Sequence, residues 1–391
     1  MDKDKVQCPR ADFTSIQAAV TASLPGDTIK VCPDLYNESV NVNKPALTVV
    51  GASNVGDCSI PTAADPTQDS IVTAGASPSF TLSNNNITLS GFVVQGSTDG
   101  IDTSDAFSGY RVTNNTAQNN SVRGLNFLSS GANQSRVDHN CFRLNGNSGI
   151  QSEVGNLTNG LVDHNASFKN VLDGFDFSGA GARRYVTVTR NSAVQDGFAG
   201  VSMDNSTGTE VSHNDTTGVP SAFTAGAGVF IGGANNGLNV TYNDLVGGIG
   251  RGIRITQFFF IPIFAAPNVG LDVSDNTVTG VPSNGIEVDQ FDATTGAANL
   301  STFSNNNTST NGLDGIFIAP NNTNNRFFDN NADKNGRDGI HSAGATGNTF
   351  EDNHMFLNVE FDARDDNRPA NVWTANHCDT DSPPGTICGV G

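Results

Sequence analysis

The chain has 391 residues, a formal net charge of −19 at pH 7 and 43 glycines, and only 15% of its residues are charged while 36% are hydrophobic. The acidic balance excludes a nucleic-acid-binding protein, because such proteins need a basic surface that displaces counterions. No apolar run reaches the roughly 18 residues of a membrane-spanning helix, and helix-forming residues are scarce after the first 25 positions. We therefore expect a β-rich protein that does not span a membrane.

The first predicted element is a short amphipathic helix near the N-terminus. Its largely apolar stripe lies at helical spacing and consists of Phe13, Ile16, Gln17, Ala19 and Val20. The end of a repetitive β-structure exposes its core and its unpaired strand edges, so a helix at this place is expected to act as a cap.

The six cysteines predict disulfides rather than a metal site, because none of them forms a CxxC pair. Cys378 and Cys388 are expected to close a short C-terminal loop. The pairing of the remaining four is left open: Cys8, Cys32, Cys58 and Cys141. The sequence starts MDKDKVQCPR, which fits either a cytosolic protein or a secreted one whose signal peptide was replaced. The expected disulfides favour a secreted or periplasmic protein.

A short pattern recurs through the middle of the chain: an apolar residue is followed three places later by asparagine. The matches are 112–115, 137–140, 162–165, 188–191, 211–214, 240–243, 273–276, 303–306, 328–331 and 350–353. Successive asparagines are 22 to 33 residues apart. Asparagine tolerates the left-handed conformation of a sharp corner, and stacked amides can bond along a column. We therefore expect each asparagine to mark a corner of one structural repeat.

A second pattern, Gly-apolar-x-apolar, lies between the asparagine corners. It occurs at 124–127, 174–177, 200–203, 228–231, 252–255, 285–288 and 315–318. The alternation predicts strands with one buried face, and the glycine is expected to supply a second tight bend. Repeats this short gain a core only by stacking.

The predicted fold is all-β: a single right-handed parallel β-helix solenoid of about 10–12 coils. It has an N-terminal helical cap and a disulfide-closed C-terminal cap. The expected boundaries are 1–60 for the N-terminal cap and first strands, 61–353 for the coils and 354–391 for the C-terminal cap, all in one structural domain.

These repeats resemble the right-handed parallel β-helix proteins of the pectate-lyase-like superfamily, particularly the group with NosD-like and CASH-type repeats. The segment DFTSIQAAVTASLPGDTIKVCPDLYNESVNVNKPALTVVGA (12–52) is similar to the beginning of those proteins. The resemblance covers nearly the whole chain and implies the fold and a carbohydrate-active role. It implies no particular reaction, because the same scaffold carries lyases, hydrolases, esterases, epimerases and non-enzymes.

The candidate site follows from the x position, whose side chain points away from the core. Reading x along the stack gives Asp102, Asn126, Gln151, Asp176, Ser202, Phe230, Arg254, Glu287, Phe317 and His341, and the residues before the glycines include Arg123, Asp173, Arg251, Asn284, Asp314 and Asp338. Arg251, Arg254, Glu287 and Asp289 are expected on two neighbouring coils, with Asp176 some coils away. The alternative is an exposed sheet face with ordinary cross-strand ion pairs.

In the catalytic interpretation, Arg254 neutralises a uronate carboxylate or acts as a base, as in the β-helix lyases that the chain resembles. Glu287 or Asp289 is then a general acid or a ligand for Ca²⁺, the one cofactor left open, and Asp176 is a further catalytic candidate. Glu287 and Asp289 lie about 6.5–7 Å apart along one strand face, a separation that also permits hydrolysis. Arg251 is expected to bind substrate.

A second column holds His139, His164, Arg190, His213, Tyr242 and Asp275, each directly before a corner asparagine. Only two histidines are neighbours in this column, fewer than the three or four ligands of a tight metal site, so no metal ligand is assigned. His213 and Tyr242 are retained as substrate-binding candidates.

The segment 257–267 is an apolar insertion that follows the strand carrying Arg254. Its phenylalanines, Phe258, Phe259, Phe260 and Phe264, must cover a neighbouring surface, join a second subunit or wall a binding cleft. We list them as substrate-binding candidates and keep a homo-oligomer through 257–267 as an alternative.

The predicted function is that of an extracytoplasmic carbohydrate-active protein, a lyase or epimerase acting on an acidic sugar polymer. Its partner is then a polysaccharide or oligosaccharide. The alternatives are a glycoside hydrolase or transferase on the same scaffold and a non-catalytic carbohydrate-binding or surface protein. The net charge of −19 requires local cations, such as Arg251 and Arg254 or bound calcium, to attract such a polymer.

Overall fold

The computed structural model describes residues 1–218, 226–248, 250–256, 266–289 and 296–388. The chain forms two compact units, Met1–Asp196 and Gly197–Gly391. The fold is the predicted all-β parallel solenoid, with about 11 turns and almost no helix. The predicted boundaries at residues 60 and 353 stay a prediction.

The first unit begins with α1 (Ile16–Ala22), which confirms the predicted N-terminal helix. Ser15 caps it by accepting a hydrogen bond from the Ala18 backbone, and Ile16, Ala19 and Val20 are buried. The strands of this unit are β1 (Thr28–Lys30), β2 (Asp34–Asn37), β3 (Val40–Val42), β4 (Thr48–Val50), β5 (Ser70–Thr73), β6 (Phe80–Leu82), β7 (Thr88–Ser90), β8 (Val93–Gln95), β9 (Asp99–Thr103), β10 (Arg111–Thr113), β11 (Thr116–Gln118), β12 (Arg123–Asn126), β13 (Ser135–Asp138), β14 (Cys141–Arg143), β15 (Ile150–Gln151), β16 (Leu157–Thr158), β17 (Gly160–Asp163), β18 (Ala166–Phe168), β19 (Phe175–Phe177), β20 (Arg183–Arg184), β21 (Thr187–Thr189) and β22 (Ser192–Val194).

Three long parallel sheets form most of the first unit, and β16 pairs with β20 in a further short one. In strand order the long sheets are β1-β4-β7-β10-β13-β17-β21, β2-β5-β8-β11-β14-β18-β22 and β3-β6-β9-β12-β15-β19. Within the first sheet, Val112, Val137, Val162 and Val188 pair in register and are fully buried. One sequence repeat therefore makes one turn, and equivalent residues of successive repeats stack about 4.8 Å apart.

The second unit contains the remaining strands. These are β23 (Ala199–Met203), β24 (Ser206–Thr207), β25 (Glu210–Ser212), β26 (Asp215–Thr217), β27 (Ala227–Ile231), β28 (Asn239–Thr241), β29 (Asp244–Val246), β30 (Arg251–Ile255), β31 (Asn268–Val269), β32 (Asp272–Ser274), β33 (Thr277–Thr279), β34 (Ile286–Val288), β35 (Ala298–Asn299), β36 (Thr302–Ser304), β37 (Ile316–Ile318), β38 (Arg326–Phe328), β39 (Ile340–Ser342), β40 (Thr349–Glu351), β41 (His354–Met355), β42 (Ala363–Asp365), β43 (Val372–Thr374), β44 (His377–Cys378) and β45 (Asp381–Ser382). Its first sheet has the order β25-β28-β32-β36-β38-β40-β43, its second β26-β29-β33, and its third β23-β27-β30-β34-β37-β39-β42-β45.

The core of the second unit changes from aliphatic to aromatic along its first sheet. Phe303, Phe327, Phe350 and Trp373 pair in register, and their ring centroids lie 4.5, 5.0 and 3.9 Å apart in that order. Trp373 ends the stack and donates from its indole nitrogen to Asp365, 2.9 Å away. The predicted disulfide Cys378–Cys388 is present near the C-terminus.

The corner asparagines form buried hydrogen-bonded ladders, as their spacing predicts. The Asn140 side chain donates to Asn165 Oδ1 at 2.9 Å and to the Val112 carbonyl at 2.9 Å, while its backbone N–H donates to the same Asn165 oxygen at 3.0 Å. Equivalent bonds join the other members of the ladder in each unit: Asn115, Asn191, Asn214, Asn243, Asn276, Asn306, Asn330, Asn353 and Asn376. The match at 328–331 predicted Asn331 for one turn, which is wrong by one residue, because Phe327 is the apolar residue in register and Asn330 therefore joins the ladder.

The predicted backbone conformations of the asparagine and glycine corners were wrong. The left-handed conformation belongs to the residue before each ladder asparagine, such as His139 at φ 55° and Tyr242 at φ 56°. The glycines before the third-sheet strands have no positive φ but lack room for a side chain. A Cβ on Gly124 would lie 2.6 Å from the Gly149 carbonyl oxygen. Close stacking of turns, rather than a bend, therefore requires these glycines.

Two further disulfides connect residues of the first unit, Cys8–Cys32 and Cys58–Cys141. The second of them ties the segment after β4 to β14. Arg143 supports the same segment by donating to the Ile60 and Thr62 carbonyls at 2.8 and 3.1 Å. All six cysteines are thus paired. Among the described residues, no helix is long and apolar enough to cross a membrane.

Candidate functional site

The outward-facing x positions of the third sheet align in the second unit. Strand register pairs them in the order Ser202, Phe230, Arg254, Glu287, Phe317, His341 and Arg364. The predicted column is therefore confirmed for this unit, because one repeat makes one turn and the x position returns to the same face.

This outward face is shielded from solvent to an unusual degree. Ser202, Phe230, Glu287 and His341 are only 3, 4, 5 and 6% exposed, whereas outward positions on the first sheet are exposed, namely Asn239, Asp272 and Arg326. Charged groups in such a place interact more strongly with one another and with a ligand than they do in open solvent. The third sheet is therefore the face on which we place the candidate site.

The structure brings together Arg251, Arg254, Glu287 and Asp289, which we call the arginine–carboxylate cluster. Glu287 Oε1 lies 2.5 Å from Arg251 Nε and 3.5 Å from Arg254 Nε, and Asn284 donates to its other oxygen at 2.6 Å. Arg254 also reaches Asp289 Oδ2 at 2.6 Å. Both oxygens of Glu287 are therefore occupied, so this residue is better suited to hold the two guanidinium groups than to transfer a proton.

Solvent reaches the arginine–carboxylate cluster from its edges. The side chains of Arg251, Arg254 and Asp289 are 21, 16 and 26% exposed, compared with 6% for Glu287. The Arg254 guanidinium also lies 6.0 Å from the centre of the Phe230 ring. The arrangement presents two positioned cations and one accessible carboxylate to a ligand on the outer face.

Asp176 belongs to the first unit and makes its contacts there. Its carboxylate accepts from Gln151 at 2.8 Å and from both the backbone and the hydroxyl of Ser178, at 2.9 and 2.5 Å. Burial raises its pKa, against the lowering effect of these hydrogen bonds. The side chain is 3% exposed, so it is well placed to stabilise the turn after β19.

His213 and Tyr242 lie at the corner that follows the first sheet, not on the third sheet. Their rings stack with centroids 5.0 Å apart and planes inclined by 22°. Both have positive φ values, 54° and 56°, which point their side chains outward beside the buried asparagine ladder. The four phenylalanines assigned to substrate binding lie outside the described residues: Phe258, Phe259, Phe260 and Phe264.

Sequence analysis did not select a second group on the same face, Asp314, Asp338 and His341, which we call the histidine–aspartate cluster. Both aspartates are fully buried, and His341 Nδ1 lies 3.5 Å from Oδ2 of each. The available signal was the Asp-Gly-Ile triplet at 314–316 and again at 338–340, followed by His341 at the x position. Asp314 and Asp338 belong to the predicted column before the glycines and His341 to the predicted x column, but neither pattern shows that their side chains converge.

Electrostatic effects inside the histidine–aspartate cluster are large. Burial and the charge of Asp314 raise the pKa of Asp338 to about 6. Burial opposes protonation of His341, but the neighbouring carboxylates of Asp314, Asp366 and Asp338 outweigh it and raise the pKa of the imidazole. For Asp314, contacts with Arg337 and His341 overcome burial and lower its pKa. Perturbed groups gathered on a shielded face are typical of functional sites.

An aromatic side chain lies between the two clusters. Phe317 is half-buried; its ring centre lies 5.8 Å from the Arg337 guanidinium, and His341 meets the ring edge-on with centroids 5.4 Å apart. Arg364, next to His341 in register, is 31% exposed. The described part of this face thus carries cations on both sides of a partly exposed ring.

Residues 263–385 match the family described as "Right handed beta helix region". In structure, the chain is similar to the Dettilon tailspike protein (14% identity, 87% of this chain and 64% of that one, TM-score 0.52). It is also similar to a mutant of the periplasmic alginate epimerase AlgG (12% identity, 88% and 78%, TM-score 0.51). The fold is a right-handed parallel β-helix.

A further β-helix with lower structural similarity is the mannuronan C-5 epimerase AlgE6 A-module of Azotobacter vinelandii, with 13% identity, 94% of each chain covered and a TM-score of 0.46. No curated protein matches the chain in sequence. At these identities the likeness concerns the β-helix itself and not its activity.

Proposed function

We propose that this β-helix is an extracytoplasmic carbohydrate-active protein that acts as a lyase or epimerase on an acidic sugar polymer bound along the third sheet of its second unit. The observation that carries the proposal is the concentration of guanidinium groups on this shielded face of a chain whose net charge is −19. The groups that carry it are Arg251 and Arg254, whereas Arg337 and Arg364, farther along the same face, are paired with carboxylates. Guanidinium groups bind carboxylates through paired hydrogen bonds, so they suit a uronate better than a neutral sugar.

Lyases and epimerases share a chemical requirement that hydrolases lack. Both remove the proton next to the sugar carboxylate, so negative charge develops on that carboxylate and must be stabilised. Arg254, which is partly exposed, is proposed to neutralise it. Asp289, 2.6 Å from Arg254 and 26% exposed, is proposed to transfer the proton. Glu287 is proposed to position Arg251 and Arg254.

Two further observations support this assignment. A structural neighbour with a TM-score above 0.5 is an alginate epimerase, with 12% identity to this chain. The three disulfides fit an oxidising compartment, and the same neighbour is a periplasmic protein. A polysaccharide or oligosaccharide is therefore the proposed partner. Phe317 offers a partly exposed ring on which a sugar can stack.

The proposal is tested by incubating the protein with a panel of polyuronates. Lyase activity appears as ultraviolet absorbance of the unsaturated product, and epimerase activity as exchange of the sugar proton when the reaction is run in D₂O and followed by NMR. Arg254→Gln is expected to lower kcat by about 10²–10³-fold, the usual effect of removing one stabilising donor.

Arg326→Gln is the matched control. It removes a guanidinium from the exposed pair with Glu351 on the first sheet of the same unit, where the two groups lie 2.6 Å apart. Equal losses in both variants would show that only the overall charge matters and would overturn the assigned site. Binding of a polyuronate without turnover, abolished by Arg254→Gln, would favour the non-catalytic binding protein instead.

A further inference from the structure

The histidine–aspartate cluster repeats one position on successive turns of the second unit. Asp314 and Asp338 each precede the glycine that leads into a third-sheet strand, β37 and β39, and His341 lies on β39. One carboxylate oxygen from each aspartate and one imidazole nitrogen lie within 4.8 Å of one another. The cluster uses none of the side chains of the arginine–carboxylate cluster, and both of its aspartates are fully buried.

The separations inside this cluster fit shared ligands better than hydrogen bonds. His341 Nδ1 lies 3.5 Å from Asp314 Oδ2 and 3.5 Å from Asp338 Oδ2, beyond the usual 2.7–3.2 Å of an N–H···O bond. Two ligand atoms bound to one tetrahedral zinc ion lie about 3.4 Å apart, given bonds of about 2.0–2.2 Å. The two nitrogen–oxygen separations are therefore those of adjacent ligands around one ion, and the two carboxylate oxygens lie within 4.8 Å of one another.

Two of the three candidate ligand atoms lack a hydrogen-bond partner among the described residues. These buried atoms are Asp338 Oδ2 and His341 Nδ1. The nearest cations to Asp338 Oδ2 are Arg337 Nε at 3.9 Å and Arg364 at 3.8 Å, both too distant to donate. Because a buried polar atom without a partner is costly, both atoms are candidates for an additional ligand.

The surrounding contacts orient all three side chains toward that ligand. Asp366 Oδ2 lies 3.1 Å from His341 Nε2, an imidazole–carboxylate pair of the kind that holds zinc-binding histidines and leaves the other nitrogen for the metal. The Phe361 backbone donates to Asp338 Oδ1 at 3.0 Å, and the Asp338 backbone donates to Asp314 Oδ1 at 3.1 Å. In Asp338 the contacted Oδ1 leaves Oδ2 toward His341, whereas Arg337 holds both oxygens of Asp314 and orients that carboxylate.

The charge balance also favours a divalent cation. Four carboxylates, those of Asp314, Asp338, Glu360 and Asp366, face two guanidinium groups, Arg337 and Arg364. This group of side chains therefore has a net charge of −2 when His341 is neutral. Arg337 also contacts Asp314 Oδ2, but a carboxylate oxygen has two lone pairs, so the contact leaves one of them for a metal.

We propose that Asp314, Asp338 and His341 bind one divalent transition-metal ion, with Zn²⁺ as the best match to two oxygen ligands and one nitrogen ligand. Three protein ligands leave a fourth position for water or a substrate oxygen, as in catalytic rather than structural zinc sites. The site lies on the same sheet face as the arginine–carboxylate cluster, since Glu287, Phe317 and His341 are in register.

The full-length protein, stripped of metal with a chelator, is titrated with Zn²⁺ in competition with a chromophoric chelator. One ion per chain is expected. His341→Gln and Asp338→Asn are each expected to lower the affinity by at least about 100-fold, and Asp366→Asn, which removes only the orienting carboxylate, by about 10–100-fold. Failure of the unmodified protein to bind Zn²⁺ overturns the proposal.

His354→Gln is the matched control, because His354 stacks on His377 with centroids 4.5 Å apart and forms a competing surface pair of histidines. Its affinity is expected to be unchanged; loss of zinc in this variant but not in His341→Gln overturns the assignment. Co²⁺ added to the unmodified protein supplies a readout that needs no variant. The visible absorption of tetrahedral Co²⁺ is expected, and a purely octahedral spectrum contradicts the proposed ligand set.

Discussion

A buried carboxylate accepts hydrogen bonds from an amide ladder in the first unit, and it makes the stability of that unit depend on pH. Asn120, Asn145 and Asn170 donate in turn along the ladder, and Asn170 donates to Asp196. Asp196 is fully buried and accepts from the backbone and side chain of Asn170, both at 2.9 Å, and from Ser167 at 2.5 Å. Burial raises the pKa of this carboxyl to about 7, against the lowering effect of those hydrogen bonds.

The sign of the effect follows from the two pKa values. The pKa of Asp196 rises from 3.8, its ordinary value, to about 7 in the folded chain, so the folded state binds more protons between these limits. Stability is therefore lost as the pH rises from about 4 to about 7, and it changes no further above that window through this group. Three pH units correspond to an upper limit of about 4 kcal/mol.

Asp196→Asn removes this dependence, because an amide keeps an acceptor for Asn170 and can donate to Ser167. We expect the variant to match the natural protein near pH 4 and to be more stable at pH 8, by up to about 4 kcal/mol. Urea unfolding followed by circular dichroism at both pH values measures the difference. Asp329→Asn makes the same chemical change at an exposed corner and is the control.

Either of two results would refute the reasoning. The first is a difference between Asp196→Asn and the natural protein that stays constant from pH 4 to pH 8. The second is a natural protein that is the more stable of the two at pH 8, which would mean that the ladder holds the ionised carboxylate rather than its neutral form.

Three further changes test the packing of the coils, each by differential scanning calorimetry. Asn243→Ala removes two donated and two accepted side-chain hydrogen bonds and is expected to cost about 3 kcal/mol, whereas a cost under about 1 kcal/mol would contradict a ladder role. Replacing both Cys58 and Cys141 by alanine removes a disulfide that closes a loop of 83 residues, for an expected loss of about 4 kcal/mol, and an unchanged melting temperature would contradict this stabilisation. Gly252→Ala places a Cβ 2.5 Å from a backbone oxygen of the next turn, so a variant with an unchanged melting temperature would disprove the close approach.

The repeat allowed the stacking of residues far apart in sequence to be predicted. Arg254 and Glu287 were expected on neighbouring turns because both occupy the x position of Gly-apolar-x-apolar, and they are paired in register. The same logic predicted the asparagine ladder. In a solenoid, one period of sequence is one turn, so a local pattern also specifies which distant residues become neighbours.

Sequence could not assign conformations inside the corner. The left-handed residue was expected to be asparagine, but it is the residue before it, such as His213. Polar residues occupy both positions, and only burial distinguishes them: Asn214 is fully buried and bonded to the next turn, while His213 is exposed. The spacing of the repeat is the same whether the left-handed residue is the asparagine or the residue before it, so the spacing could not distinguish them.

The amino-acid sequence by itself determined the solenoid, its ladders and the face on which its charged residues align, because each follows from the spacing of residues along one strand or one repeat. Only the tertiary structure decided how these charges are used. It occupies both oxygens of Glu287, and it directs Asp314, Asp338 and His341 toward a common point. These outcomes depend on side-chain direction, burial and contacts between turns. None of these properties recurs at a regular spacing that can be recognised in the sequence.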